Sequence, residues 1–295
     1  MEPRPDPGRV GRAALLRRDS PGLGSTARVR SGVPRRRPEE VSVPEQASEV
    51  VHVEVSGAVA NVILDSPANR NALGRVLTGQ LTDALASAGA DSDVRVVLLR
   101  SSGPVFCSGA DMREALAEGM EQTARRMVEV QRAIVALPKP VVVRLDGAVR
   151  AGGLGLVGAA DVVVAAESVT FAFTEVRLGL AAATISLTTL PRLGAREAAL
   201  RFLGGESFGA REAERIGLVT RTVPDDAVAV AVDDVVAALL HGTPQGLRET
   251  KRVLTAALLA DIDERGEELA TLSARLFASE ESRAAMQAFL TRPAG

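Results

Sequence analysis

The sequence predicts an α/β layered fold on a mainly parallel sheet, followed by a helical C-terminal part. Three observations carry this. Short valine-rich apolar stretches alternate with stretches of helical spacing from Val51 to about Ile216. Glycine-rich turns stand where apolar strands pass into helices. Beyond Pro224 the pattern is almost purely helical. On these grounds residues 1–48 are set apart as a tail, 49–240 as the layered core and 241–295 as a C-terminal helical domain.

Residues 1–48 are rich in Arg, Pro, Gly and Ser, contain the run Pro34-Arg35-Arg36-Arg37-Pro38 and show no sustained apolar period. That composition reads as a disordered tail. The arginines would suit nucleic acid, but neither aromatics nor a binding motif accompany them.

From Val51 the elements follow in order. Val51, Val53 and Val55 alternate with polar residues, and Val59 to Leu64 forms a second strand across the Ser56-Gly57 turn. After Pro67 a helix runs to about Ala88, with Leu73, Val76, Leu77, Leu81, Ala84, Leu85 and Ala88 at helical spacing. Val94 to Leu99 is a continuous apolar strand, and a turn then leads into Val105 to Asp111. A helix through Ala124, Met127, Gln131 and Ile134 ends before Pro138. Further helices lie near Arg196 to Phe202 and Arg211 to Ile216, then at Val228 to Leu240, Leu247 to Leu259, Glu267 to Phe277 and Arg283 to Leu290.

The stretch from Lys139 to Gly179 organises the chain. Val141 to Leu145 reads as a buried strand, Gly147 to Gly155 as a glycine-rich turn and Val162 to Ala165 as a second strand, before a phenylalanine-flanked turn that presents Glu175. Gly152 and Gly153 sit at the start of a helix, where backbone N–H groups lack intrahelical partners and can hold an oxygen that becomes negative during reaction. Phe171 and Phe173 would give Glu175 an apolar setting, which raises a carboxylic pKa toward the range useful for proton transfer.

Composition excludes several classes. The chain of 295 residues is 46% hydrophobic with a net charge of −2, which gives no electrostatic case for nucleic acid or membrane. It has no Trp and no Tyr and its aromatic content is 2%, so stacking platforms for bases or sugars are not expected. Cys107 is the single cysteine and reads as a small buried thiol in a reducing, cytoplasmic setting. With two histidines and one cysteine, a zinc site of ordinary ligand type is not expected, and no apolar run is long enough to span a bilayer.

Several motifs now stand in a telling order: Asn71-Ala72-Leu73, Phe106-Cys107-Ser108-Gly109-Ala110-Asp111-Met112, Gly147 to Gly153, Glu175-Val176-Arg177-Leu178-Gly179, and Phe208 to Ala213 followed by Gly217-Leu218-Val219. This ordered set resembles the enoyl-CoA hydratase/isomerase (crotonase) family from about Val51 to Leu290. The resemblance is greatest to bacterial members with a single catalytic glutamate, methylglutaconyl-CoA hydratases among them. It implies a spiral of ββα units with C-terminal helices that mediate trimers or dimers of trimers. It implies a coenzyme A thioester as substrate and no separate cofactor. It also implies catalytic roles for Glu175 and for the N–H groups of Ala110 and Gly152, with Ser108, Ala110, Asp111, Met112, Arg113, Gly152 and Gly155 at the substrate. Arg70, Arg75, Arg113 and Lys251 are the candidates for the coenzyme phosphates. Asp111 reads as a helix cap rather than a proton carrier.

One departure stands out. Two-acid members of the family carry a glutamate where this chain has Gly155. The family reading is therefore hydration of a 2-enoyl-CoA with Glu175 as the single general acid/base. The alternatives are 3-enoyl to 2-enoyl-CoA isomerisation at the same site, or a catalytically silent acyl-CoA-binding protein. Ala182, where many relatives have proline, removes no reactive group.

Overall fold

Two sheets lie at the centre of the molecule. A computed structural model of the chain describes residues 48–290, with backbone alone for the last two, so all but the final residue of the predicted tail lies outside the described residues. The first sheet has six strands in the order β1 (Val51–Ser56), β2 (Val59–Leu64), β3 (Val96–Ser101), β5 (Val141–Leu145), β7 (Val162–Ala166) and β10 (Arg221–Val223). Only the β1–β2 hairpin is antiparallel, and it turns at Gly57, whose φ of +55° suits glycine. β1 is an edge strand, and Val53 and Val55 face solvent rather than the core.

The second sheet has four short strands in the order β4 (Val105–Cys107), β6 (Ala148–Arg150), β8 (Thr170–Ala172) and β9 (Phe208–Gly209). Three times the chain runs through a long strand of the first sheet, turns into a short strand of the second, and leaves into a helix or helical turn. This is the predicted spiral of ββα units. β4, β6 and β8 are parallel neighbours, so the three segments that follow them emerge side by side.

The helices are α1 (Arg75–Ala90), α2 (Met112–Glu118), α3 (Met120–Ala136), α4 (Gly152–Ala159), α5 (Ala183–Thr189), α6 (Ala195–Gly204), α7 (Ala210–Arg215), α8 (Val228–Leu240), α9 (Pro244–Phe277) and α10 (Glu280–Leu290). Two expectations are corrected. The first helix begins at Arg75, not after Pro67, because Arg70 and Asn71 take positive φ values of 57° and 53°. The two helices expected at 247–259 and 267–277 are one helix, α9, of 34 residues. Gly266 does not break it. A Cβ there would come within 2.8 Å of Val128, so glycine lets α9 lie close on α3.

Lys251 is also corrected. Its ammonium is buried and pairs with Asp161 at 2.7 Å, while donating to the carbonyls of Ile134 and Lys139. It clamps α9 to the sheet and lies away from the cavity described below.

Candidate active site

The first of the three segments follows β4. Gly109 has φ +98°, and a Cβ on it would come within 2.8 Å of the Ala151 methyl, so both conformation and space require glycine. A strap from Asn69 to Leu73 lies along this turn. Ser108 N–H donates to the Arg70 carbonyl at 3.1 Å, and Leu73 N–H to the Gly109 carbonyl at 2.7 Å. Asn71 is buried within the strap. Its carbonyl oxygen accepts from Ser66 N–H and its amide donates to the Val105 carbonyl, which offsets the cost of its left-handed backbone. Asp111 caps α2, accepting from the N–H groups of Arg113 and Glu114 at 3.0 and 3.1 Å, as the sequence predicts.

The second segment follows β6. Ala151 has φ +44° and ψ −121°, a strained conformation for a residue with a Cβ, and it is held by its N–H bond to the Ala172 carbonyl. Gly152 then opens α4. A Cβ on Gly152 would meet Met127 at 2.6 Å and the Gly109 backbone at 3.3 Å, so the two turns are in contact. The N–H groups of Ala110 and Gly152 pair with no acceptor among the described residues. Gly153 packs on Cys107, whose buried thiol is pushed up to about 12 by desolvation and is inert as a nucleophile.

The third segment follows β8 and carries Glu175 at the start of a single 3₁₀ turn, Glu175–Leu178, closed by Gly179 at φ +68°. The residue is partly exposed, yet its Oε2 is sealed from solvent and has no hydrogen-bond partner. Desolvation raises the Glu175 pKa to about 7, against a smaller lowering by its own backbone N–H. Glu175 makes no ion pair with Arg177 among the described residues. Behind the turn, Phe173 stacks on Phe202 at 4.4 Å between centroids, and Phe208 stacks on both Phe171 and Phe173.

These segments line one cavity of about 1240 Å³. Ser108, Ala110, Asp111, Met112, Arg113, Gly152 and Glu175 all line it, as does Arg70. Arg75 does not, and neither does Gly155, which lies under the helices. A Cβ at Gly155 would come within 2.8 Å of the Gln131 side chain. Arg150 lines the cavity while its guanidinium is tied to the carbonyl and hydroxyl of Thr170. The sequence reading missed Met120, Met127, Leu180, Ser273 and Ala285. They come from α3, the loop after Glu175, α9 and α10, and no local motif marks them.

The matched family model decides the identity: enoyl-CoA hydratase/isomerase, over residues 54–294. The chain belongs to that family. A probable enoyl-CoA hydratase of Rhodobacter capsulatus is 33% identical over 82% of this chain and 95% of that protein. An enoyl-CoA hydratase structure from Mycobacterium avium has a TM-score of 0.78 at 46% identity, covering 83% of this chain and 97% of that one. An enoyl-CoA hydratase/isomerase structure from Pseudoalteromonas atlantica has a TM-score of 0.75 at 27% identity, covering 83% and 98%. The neighbours share the crotonase fold, so the predicted α/β spiral with C-terminal helices stands.

Proposed function

We propose that this protein adds water across the double bond of a 2-enoyl-CoA thioester. The observation that carries the reading is Glu175, whose buried oxygen has no partner and whose pKa is about 7, in the same cavity as two unpaired backbone donors. The thioester carbonyl would accept from Ala110 and Gly152 N–H, which draws charge onto that oxygen as the enolate forms. Each such donor is worth roughly 3–4 kcal/mol of barrier. Glu175 as carboxylate takes a proton from water while the water oxygen bonds to C3. The protonated Glu175 then gives that proton to C2 as the enolate collapses. The names of the relatives support this reading. Arg70 and Arg113 line the cavity without an ion-pair partner among the described residues and suit the coenzyme phosphates.

One observation favours a second reading. The surroundings of Gly155 are filled, so the site offers Glu175 alone for proton transfer at that end. A lone carboxylate suffices to take a proton from C2 of a 3-enoyl-CoA and return it at C4. The test follows the absorbance of the conjugated enoyl thioester. With crotonyl-CoA, a fall that needs Glu175 supports hydration. A rise seen only with a 3-enoyl-CoA establishes isomerisation instead, and silence with both substrates overturns both readings.

A further inference from the structure

The departure at Gly155 is matched by a buried polar pair that the reaction above does not use. Gln131 on α3 and Thr188 on α5 are 1% and 0% exposed. The Thr188 hydroxyl lies 2.7 Å from Gln131 Oε1 and 2.9 Å from the Gly155 carbonyl, so its one proton is shared between two acceptors. Gln131 Nε2 donates to the Met127 carbonyl at 2.9 Å, one turn back along α3. A Cβ at Gly155 would stand 2.8 Å from both Cδ and Oε1 of Gln131, and 3.0 Å from Ile185. The side chain of Met127 packs on Gly152, and the backbone of Thr188 on Gly158. Three glycines of α4, each three residues from the next, are thus seated on α3 and α5, with the polar pair at the middle one.

We propose that Gln131, together with Thr188, is a positioning residue: the pair fills the space a side chain at 155 would need and holds α4 so that the Gly152 N–H faces the substrate oxygen. The tie runs from Gln131 through Thr188 to the Gly155 carbonyl, and through Met127 to Gly152 itself. It makes Gly155 a requirement of this core, and it leaves no room for a second carboxylate at position 155. The inference rests on the acyl-thioester reading of the site but not on which reaction the site performs.

Two measurements test it. The first uses Gln131→Leu, which keeps the volume and removes the amide, in chains that also carry Glu175→Gln so that crotonyl-CoA binds without turnover. The carbonyl stretch of bound crotonyl-CoA, read by Raman difference spectroscopy, reports the pull of the N–H donors. The expected result is a shift reduced by half or more. With Glu175 intact, kcat should fall about tenfold while KM stays within about twofold. A full carbonyl shift and unchanged kcat overturn the proposal. The second is steric. Gly155→Ala should lower Tm, and adding Gln131→Ala should restore most of it, since the added methyl then has room, while kcat stays low because the amide is gone. A Gly155→Ala protein that behaves as the native one overturns it too. A native protein inactive on every enoyl-CoA would sink the proposed reaction, yet the carbonyl shift and the rescue would still report on Gln131.

Discussion

The two walls of the cavity are built differently. The wall that carries Ala110 and Gly152 is continuous with the main core through Cys107, Met127 and Leu73. It presents backbone, and glycines at 109, 152 and 153 are there because neighbours leave no room for a Cβ. The other wall draws on a second, smaller apolar cluster of Ala115, Met120, Ala124, Ala270, Phe277 and Met286, of which Met120 and Ala124 line the cavity and against which Ala110, Met112, Leu178 and Leu180 pack. It presents side chains, and α10 packs there on the Glu175 turn through Ser282 against Gly179. The backbone donors thus sit in the main core, and part of the side-chain lining of the cavity sits in the smaller cluster.

The largest effect should come from the acid itself. Glu175→Gln keeps size and hydrogen-bonding shape but cannot carry the proton, so kcat should fall by 10³ or more with thioester affinity nearly unchanged. Steady-state kinetics beside a binding titration measure both. The donor wall should come next. Gly109→Ala puts a methyl 2.8 Å from Ala151 at a positive φ, and must shift one turn against the other. Displacing a donor costs about 3 kcal/mol of barrier, so kcat should fall roughly 100-fold while the two-glutamate question at Gly155 is untouched. If Gly109→Ala costs only stability and not kcat, the first wall is scaffold alone.

The acid also sets a pH signature that the donor wall lacks. Glu175 ionises near 7 in the folded protein and near the ordinary carboxyl value of 4.5 when unfolded. The folded state therefore holds the proton longer, and stability falls as pH rises from about 4.5 through about 7. The native protein should lose about 1–3 kcal/mol across that window relative to Glu175→Gln, and the two should run parallel below it. Denaturant titrations at a series of pH values check this. Turnover should move the opposite way, with kcat/KM rising through about 7 as the carboxylate form appears.

The donor wall was legible in the sequence because it is made of local motifs. Ser108 to Asp111, Gly152 and Glu175 each follow a short strand, and pairing of those strands brings them together. The side-chain wall was not legible. Met120 on α3 reaches the cavity from a helix more than a hundred residues away from those that carry Ser273 and Ala285, and amphipathic spacing says only that such residues are buried. The start of α1 was misread for a related reason. Leu73 keeps the helical period, but it pairs with Ala110 as an isolated bridge, and the strap's positive φ values are invisible to periodicity. The filling of the space beside Gly155 by Gln131 is likewise a contact between two helices, α3 and α4, that no local motif marks, although the glycine at 155 is itself a visible departure from the two-acid pattern.

The smallest effect should separate the walls most cleanly. Met286 on α10 is 4% exposed and belongs to the second cluster, not to the main core. Truncating a buried methionine to alanine in a main core costs about 2–5 kcal/mol, and the cost falls where neighbours can relax into the space. Met286→Ala should therefore loosen α10 without approaching the global unfolding of the protein. Hydrogen exchange should quicken at residues 280–288 and stay unchanged in β3 and β5, whose valines are sealed in the main core. Turnover of crotonyl-CoA should persist, because the donors and Glu175 keep their places, while KM for a longer acyl chain should rise as its wall softens. Uniform acceleration of exchange across both regions would mean that the two clusters unfold as one, and the distinction between the walls would then be one of composition only.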